Sequence, residues 1–211
     1  RHGGSESNLE VAAILQQLAI DGSRLELQVD IGDDEAVITV ARIKLDGTVT
    51  TEVPRGDKAR ADLALMIPEG TTVAVRGGTG LVEARGVHTD VDLTTTSGTI
   101  RVASTRGAIT AHSDRGTVEI TLETGVTKKP QKLSSVTGSI TVFTAADNDL
   151  DVAMATSGTL TTDFTLKVDH RDNEEPDKTA TAKVGRGGHS LQITSKRGDL
   201  ALRRVVTGGT N

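Results

Sequence analysis

A short phrase recurs along this chain: a polar, mostly small residue, then glycine, a polar residue and an aliphatic one. It reads Thr96-Ser97-Gly98-Thr99-Ile100, Asp114-Arg115-Gly116-Thr117-Val118, Val136-Thr137-Gly138-Ser139-Ile140, Thr156-Ser157-Gly158-Thr159-Leu160 and Lys196-Arg197-Gly198-Asp199-Leu200. Gly80, Gly98 and Gly116 lie eighteen residues apart, with Gly107 and Gly125 at the half-steps. Gly138, Gly158 and Gly198 then follow at intervals of twenty-two, twenty and forty. Between the glycines run alternating segments such as Val91-Asp92-Leu93, Ile100-Arg101-Val102, Val118-Glu119-Ile120, Ile140-Thr141-Val142, Leu191-Gln192-Ile193 and Leu200-Ala201-Leu202. Each puts its aliphatic residues on one face of a strand and its polar ones on the other. Strand, glycine turn, strand and glycine turn make one coil, which buries its apolar face only by stacking on others at roughly 4.8 Å. The expected fold is all-β: a parallel β-solenoid, a β-helix or β-roll, of about 18–20-residue coils. At its corners Gly80, Gly98, Gly107, Gly116, Gly138, Gly158 and Gly198 are expected to supply positive φ, which glycine reaches without a Cβ penalty.

Composition fits thin, regular layers. Phe143 and Phe164 are the sole aromatic residues, so Val, Ile, Leu, Ala and Thr must fill the core, and β-branched side chains suit a pleated surface. The net charge of -5, with both signs scattered, offers no basic stripe for phosphates. The scarcity of aromatic rings removes stacking platforms for bases and weakens a sugar-binding reading. Without cysteine there are no disulfides, thiolate metal sites or cysteine nucleophiles. The longest apolar stretch, Val11 to Ile20, is too short to span a bilayer and is broken by Gln16 and Gln17. A start at Arg1 instead of Met reads as a processed or partial chain, from which a signal peptide or anchor would already be missing.

The first seventy residues are less regular. Leu25 to Ile31 and Val37 to Ile43 alternate around Gly32-Asp33-Asp34-Glu35 and read as a β-hairpin. Val11 to Ile20 reads equally well as an amphipathic helix capped by Asn8 or as a strand. The polar, Pro-interrupted run around Arg171 to Lys178 reads as a loop insertion over 169–187 that lengthens one coil. The expected organisation is an N-terminal segment over 1–24, a solenoid with irregular first coils over 25–206, and a tail over 207–211.

The strand Leu63-Ala64-Leu65-Met66-Ile67-Pro68-Glu69-Gly70, ending in Pro-x-Gly and followed by Ser/Thr-Gly-polar-aliphatic turns, resembles a bacterial β-strand-repeat, adhesin-like domain family of unknown function. The resemblance runs from about Leu25 to Val206 and implies a β-solenoid or β-roll, export, and frequent attachment to the cell envelope. It implies no catalytic residues. The Val11 to Ile20 and Asp169 to Lys183 segments depart from the family's pattern.

Candidate chemistry is sparse. Arg55-Gly56-Asp57 and Arg197-Gly198-Asp199 match an integrin-recognition tripeptide, yet Gly198 falls on the repeat turn and Gly56 in a charged connection. Asp147, Asp149 and Asp151 would share one face of a strand and could gather Ca²⁺. Val152 and Gly158 stand where a calcium loop needs Gly and Glu, so a solvated turn is the stronger reading. Asp172, Glu174, Glu175 and Asp177 read as a solvated acidic loop, and His88 and His112 as surface histidines. No nucleophile elbow, zinc helix or phosphate loop is present. The expectation is a non-catalytic structural or adhesive envelope module outside the cytoplasm, without cofactor, partnered by a protein or envelope component and not by nucleic acid. The alternatives are a subunit that self-associates through its terminal coils, an accessory subunit of a larger envelope complex, and a β-helical carbohydrate-active enzyme.

Overall fold

The computed structural model describes residues 9–18, 23–31, 35–51, 58–122 and 129–205, and among these every regular element is a strand. The all-β expectation is therefore met. The chain forms two compact units, Arg1–Pro68 and Glu69–Asn211.

In the first unit β1 (Glu10–Leu18) resolves the helix-or-strand alternative for the Val11 segment; Ile20 lies outside the described residues. The expected hairpin is present as β2 (Arg24–Ile31) and β3 (Ala36–Ile43), antiparallel from Arg24↔Ile43 to Ile31↔Ala36; its turn at 32–34 is outside the described residues. The short β4 (Val49–Thr50) adds to β3 after a turn at Asp46 and Gly47. There Gly47 adopts φ +84°, and the Thr48 amide donates to Asp46 Oδ1 at 2.9 Å. Arg42 of β3 is buried, with Nε donating to Ser23 Oγ at 2.5 Å. A second antiparallel pair joins β1 to β5 (Lys58–Met66).

The second unit is built from two sheets. The eight-stranded sheet holds β6 (Val73–Gly77), β8 (Val91–Thr95), β10 (Ile109–Ser113), β12 (Gln131–Ser135), β14 (Leu150–Thr156), β16 (Leu166–His170), β17 (Lys178–Val184) and β18 (His189–Ser195). The six-stranded sheet holds β7 (Leu81–Arg85), β9 (Thr99–Ala103), β11 (Val118–Leu122), β13 (Ile140–Thr144), β15 (Leu160–Thr162) and β19 (Leu200–Arg204). The chain alternates between the two from β6 to β16, after which β17 and β18 stay in the first sheet and β19 returns to the second. Alternation sends Leu93, Ala111, Leu133 and Ile193 from one sheet, and Ile100, Val118, Ile140 and Leu200 from the other, into one shared core. These residues sit in register, so the apolar layer continues from strand to strand.

Two features depart from simple sequential stacking. The 169–187 segment is not one loop: residues 171–177 turn, and β16 and β17 flank them as antiparallel strands. Because β17 also pairs antiparallel with β14, the eight-stranded sheet is mixed instead of wholly parallel. Small Ala180 and Ala182, with Val184 at the end of the strand, supply its buried face, which is why the segment looks too polar for a strand in sequence. The last two strands, moreover, do not sit at the end. β18 lies between β12 and β14, and β19 between β13 and β15.

The corner glycines work mostly through contact. Of the expected corner residues only Gly80 has positive φ, at +110°. The others stack: a Cβ on Gly116 would stand 1.8 Å from Gly98 O, one on Gly138 1.8 Å from Gly116 O, and one on Gly198 2.0 Å from Gly138 O. Each turn rests directly on the backbone of the turn beside it, a closeness that any side chain prevents.

Candidate functional site

The eight-stranded sheet turns two registered polar rows outward. One runs Arg76, Thr94, His112, Ser134, Thr194, Ala155, Thr179, Asp169 across successive strands, and the other Asp92, Thr110, Lys132, Gln192, Ala153, Thr181, Lys167. Neighbours satisfy one another along these rows. Arg76 donates to Thr94 Oγ1 at 3.0 Å and pairs with Asp92 at 3.2 Å. His112 bonds Ser134 Oγ through Nδ1 at 2.8 Å and Asp114 through Nε2 at 3.0 Å. At the corner, Asp90 accepts from Lys129 Nζ at 2.8 Å and from the Ala108 amide at 2.9 Å. The Lys129 hydrogen bond, helped by that amide, holds the Asp90 carboxyl below the usual carboxylate range.

Where the sheet becomes antiparallel, an open depression of about 580 Å³ lies among Asp151, Ala153, Thr165, Lys167, Thr181, Lys183 and Ser190. Its floor is shallow because Ala153 and Thr181 are short, while Lys167 and Lys183 rise at its sides. Their ammonium groups stand 3.8 Å from Asp169 and 3.9 Å from Asp151, loose pairs exposed to water. This surface offers hydroxyls, ammonium groups and carboxylates for polar contacts, in the manner of a recognition face.

The residues singled out in sequence are dispersed or engaged. Asp149 accepts the Arg186 amide at 2.8 Å and its Nη2 at 2.7 Å, and chiefly the Arg186 side chain keeps its carboxyl below the usual range. Asp151 accepts the Gly188 amide at 2.9 Å. These two aspartates fasten the 185–188 turn to the start of β14, and Asp147 stays exposed on the preceding turn. Among the described residues no three His, Asp or Glu side chains gather as a metal site. The acidic run also splits, Glu174 pairing with Arg171 at 3.1 Å and Glu175 with Arg197 at 2.6 Å. The second integrin-like tripeptide is thereby built into the fold: Arg197 is held by Glu175, Gly198 is buried, and Asp199 Oδ1 accepts the Thr159 amide at 2.7 Å. Arg55-Gly56-Asp57 and Gly125 lie outside the described residues. His88 faces Glu69 at 3.8 Å, while His112 bonds Ser134 and Asp114.

Sequence reasoning missed an internal column of hydroxyls. Thr95, Ser113, Ser135, Thr156 and Ser195 are buried beside the glycine stack. Ser113, Ser135 and Ser195 accept the amides of Gly116, Gly138 and Gly198 at 2.8, 2.7 and 2.9 Å. Ser113 donates to Gly98 O and Ser195 to Gly138 O, both at 3.1 Å, so these two hydroxyls tie their own turns to the neighbouring one. The signal was legible as a hydroxyl three residues before the glycine, or two before it at Thr156. Gln131 was missed too: it is 3% exposed in the apolar row between Ile109 and Leu191.

No helix among the described residues is long and apolar enough to cross a membrane. No curated protein matches the chain. Among solved structures, a candidate cell adhesion protein from Clostridium sporogenes shares the fold with a TM-score of 0.52 and 13% sequence identity, over 96% of this chain and 85% of that one. The glycine-turn phrases and paired sheets fall within the region, residues 8–203, that matches the Toastrack family model, and on that match the chain belongs to the Toastrack DUF4097 family, a domain of unknown function.

Proposed function

We propose that this chain is a non-catalytic, extracytoplasmic envelope module, a β-solenoid whose work is done by the polar outer face of its eight-stranded sheet. The observation that carries this reading is the pair of registered rows on that face. They repeat hydroxyl and charged groups across many strands and give an extended contact surface instead of one pocket. Support for adhesion comes from the Clostridium sporogenes protein of the same fold, described as a candidate in cell adhesion. The hydrogen bonds along the rows hold the side chains in place before contact, which lowers the entropy cost of binding.

The test is co-sedimentation of the full chain with purified bacterial cell-envelope fragments. The native chain is compared with one carrying Thr94→Glu, Ser134→Glu and Thr194→Glu. Thr94 and Ser134 are half-buried and Thr194 exposed, all three on the outer face and outside the apolar core, and the expected result is binding by the native chain and its loss in the variant, with unchanged circular dichroism as the check on folding. Equal binding by both chains, or none by the native one, overturns the reading.

A further inference from the structure

β16 ends the eight-stranded sheet, bonding to β17 on one side and to no other described strand on its second side. The core is only partly covered there, by Leu160, Phe164 and Leu166. Val168 stands in the buried row of Ala180, Met154 and Ile193, yet is 40% exposed, and the opposite sheet ends in the three-residue β15. An edge with a half-covered apolar residue invites another strand, and charged side chains ordinarily guard such an edge.

Here the guarding charges form a self-complementary pattern. Lys167 and Asp169 flank Val168, lie on the outer face and differ in sign. A second β16 laid antiparallel and centred on Val168 sets Val168 against its own counterpart. It also sets Lys167 opposite Asp169 of the second copy, and by symmetry Asp169 opposite Lys167. Opposite charges facing each other across antiparallel strands attract, and like charges repel. Within one chain Lys167 Nζ and Asp169 Oδ2 are 3.8 Å apart and largely exposed, so little is lost when each turns to a cross-strand partner. The junctions β14–β17 and β17–β16 are already antiparallel, so the added strand continues the alternation.

We propose that β16 is a homodimerisation edge, at which a second copy of this chain adds its own β16 antiparallel about Val168. The contact is isologous and closes on a two-fold axis, so it yields a dimer and not a filament. It neither requires nor tests the surface reading given above.

The experiment is sedimentation velocity on the full chain over a concentration series reaching roughly millimolar, since a five-residue strand contact is weak. The native chain, K167D, D169K, the double exchange K167D/D169K, and an equimolar mixture of the two single variants are compared. Each single variant places like charges opposite one another and is expected to weaken dimerisation on the order of ten-fold or more. The double exchange restores opposite signs and the native affinity. The mixture forms a heterodimer that neither single variant forms alone, a rescue that loss of folding cannot imitate. A native chain monomeric throughout, growth beyond dimers, affinity indifferent to the single variants, or a mixture without rescue overturns the proposal.

Discussion

The glycine column brings neighbouring turns closer than a side chain permits, and its members are not equivalent to the other glycines of the same turns. A Cβ on Gly116 would lie 1.8 Å from Gly98 O and 2.7 Å from Ser113 Oγ, with backbone on the near side that has nowhere to retreat. Gly78, on the first turn of the same corner, would meet nothing within 4 Å. Gly116→Ala is therefore expected to cost about 3 kcal/mol or more through overpacking, and Gly78→Ala to stay within about 0.5 kcal/mol. Equilibrium urea unfolding of both variants checks this; equal effects would show that contact is not what selects glycine. The spacing of these residues was legible from Gly98 and Gly116 onward. The reason was not, because a φ preference and a close approach leave the same residue in the sequence and only the neighbouring turn distinguishes them.

At the scale of the element, β12 shows how a strand is kept in register where regular pairing fails. Its first residue, Gln131, accepts the Ile109 amide on Oε1 at 2.6 Å. Its Nε2 donates to Gly107 O at 3.3 Å and to Lys129 O at 3.2 Å. In the coils before it the corresponding bond is made by backbone, as from the Val91 amide to Ala108 O at 2.9 Å. A side-chain amide thus stands in for a backbone group next to Pro130, and burying it costs little because both its ends are bonded. Gln131→Leu keeps the bulk of the row but strands those backbone groups, and is expected to lower stability by about 1–3 kcal/mol in chemical denaturation. A leucine variant as stable as the native chain would reduce Gln131 to a filler of volume. Strands with bulky aliphatic residues, such as β9 and β11, were legible from alternation alone. β12 was not, since Gln-Lys-Leu-Ser-Ser carries one aliphatic residue, and β17 escaped because alanines fill most of its buried face.

For the whole molecule, the position of the last coil decides how the second unit holds together. In a solenoid stacked in sequence order, each coil touches its chain neighbours and terminal coils can be removed with local effect. Here β18 and β19 are wedged between strands that precede them: Ile140 pairs with Leu200 and Gln131 with Leu191, while Val152 also pairs with Leu191. That insertion was hidden in the sequence, where the forty-residue interval before Gly198 reads as one lengthened coil. Removing residues beyond Gly188 should then do more than trim an end. It takes away the strands that join β12 to β14 and β13 to β15, and with them the cover over Leu133, Met154 and Val142. The expected outcome is loss of protease protection across residues 150–184 as well as loss of the cooperative unfolding transition, read by limited proteolysis with mass spectrometry and by circular dichroism. Retained protection of 150–184 would mean that β14 to β17 can dock without the wedge. The same geometry makes the closing contacts non-local, so the unit completes its core only after the C-terminal strands have found their slot between coils already laid down.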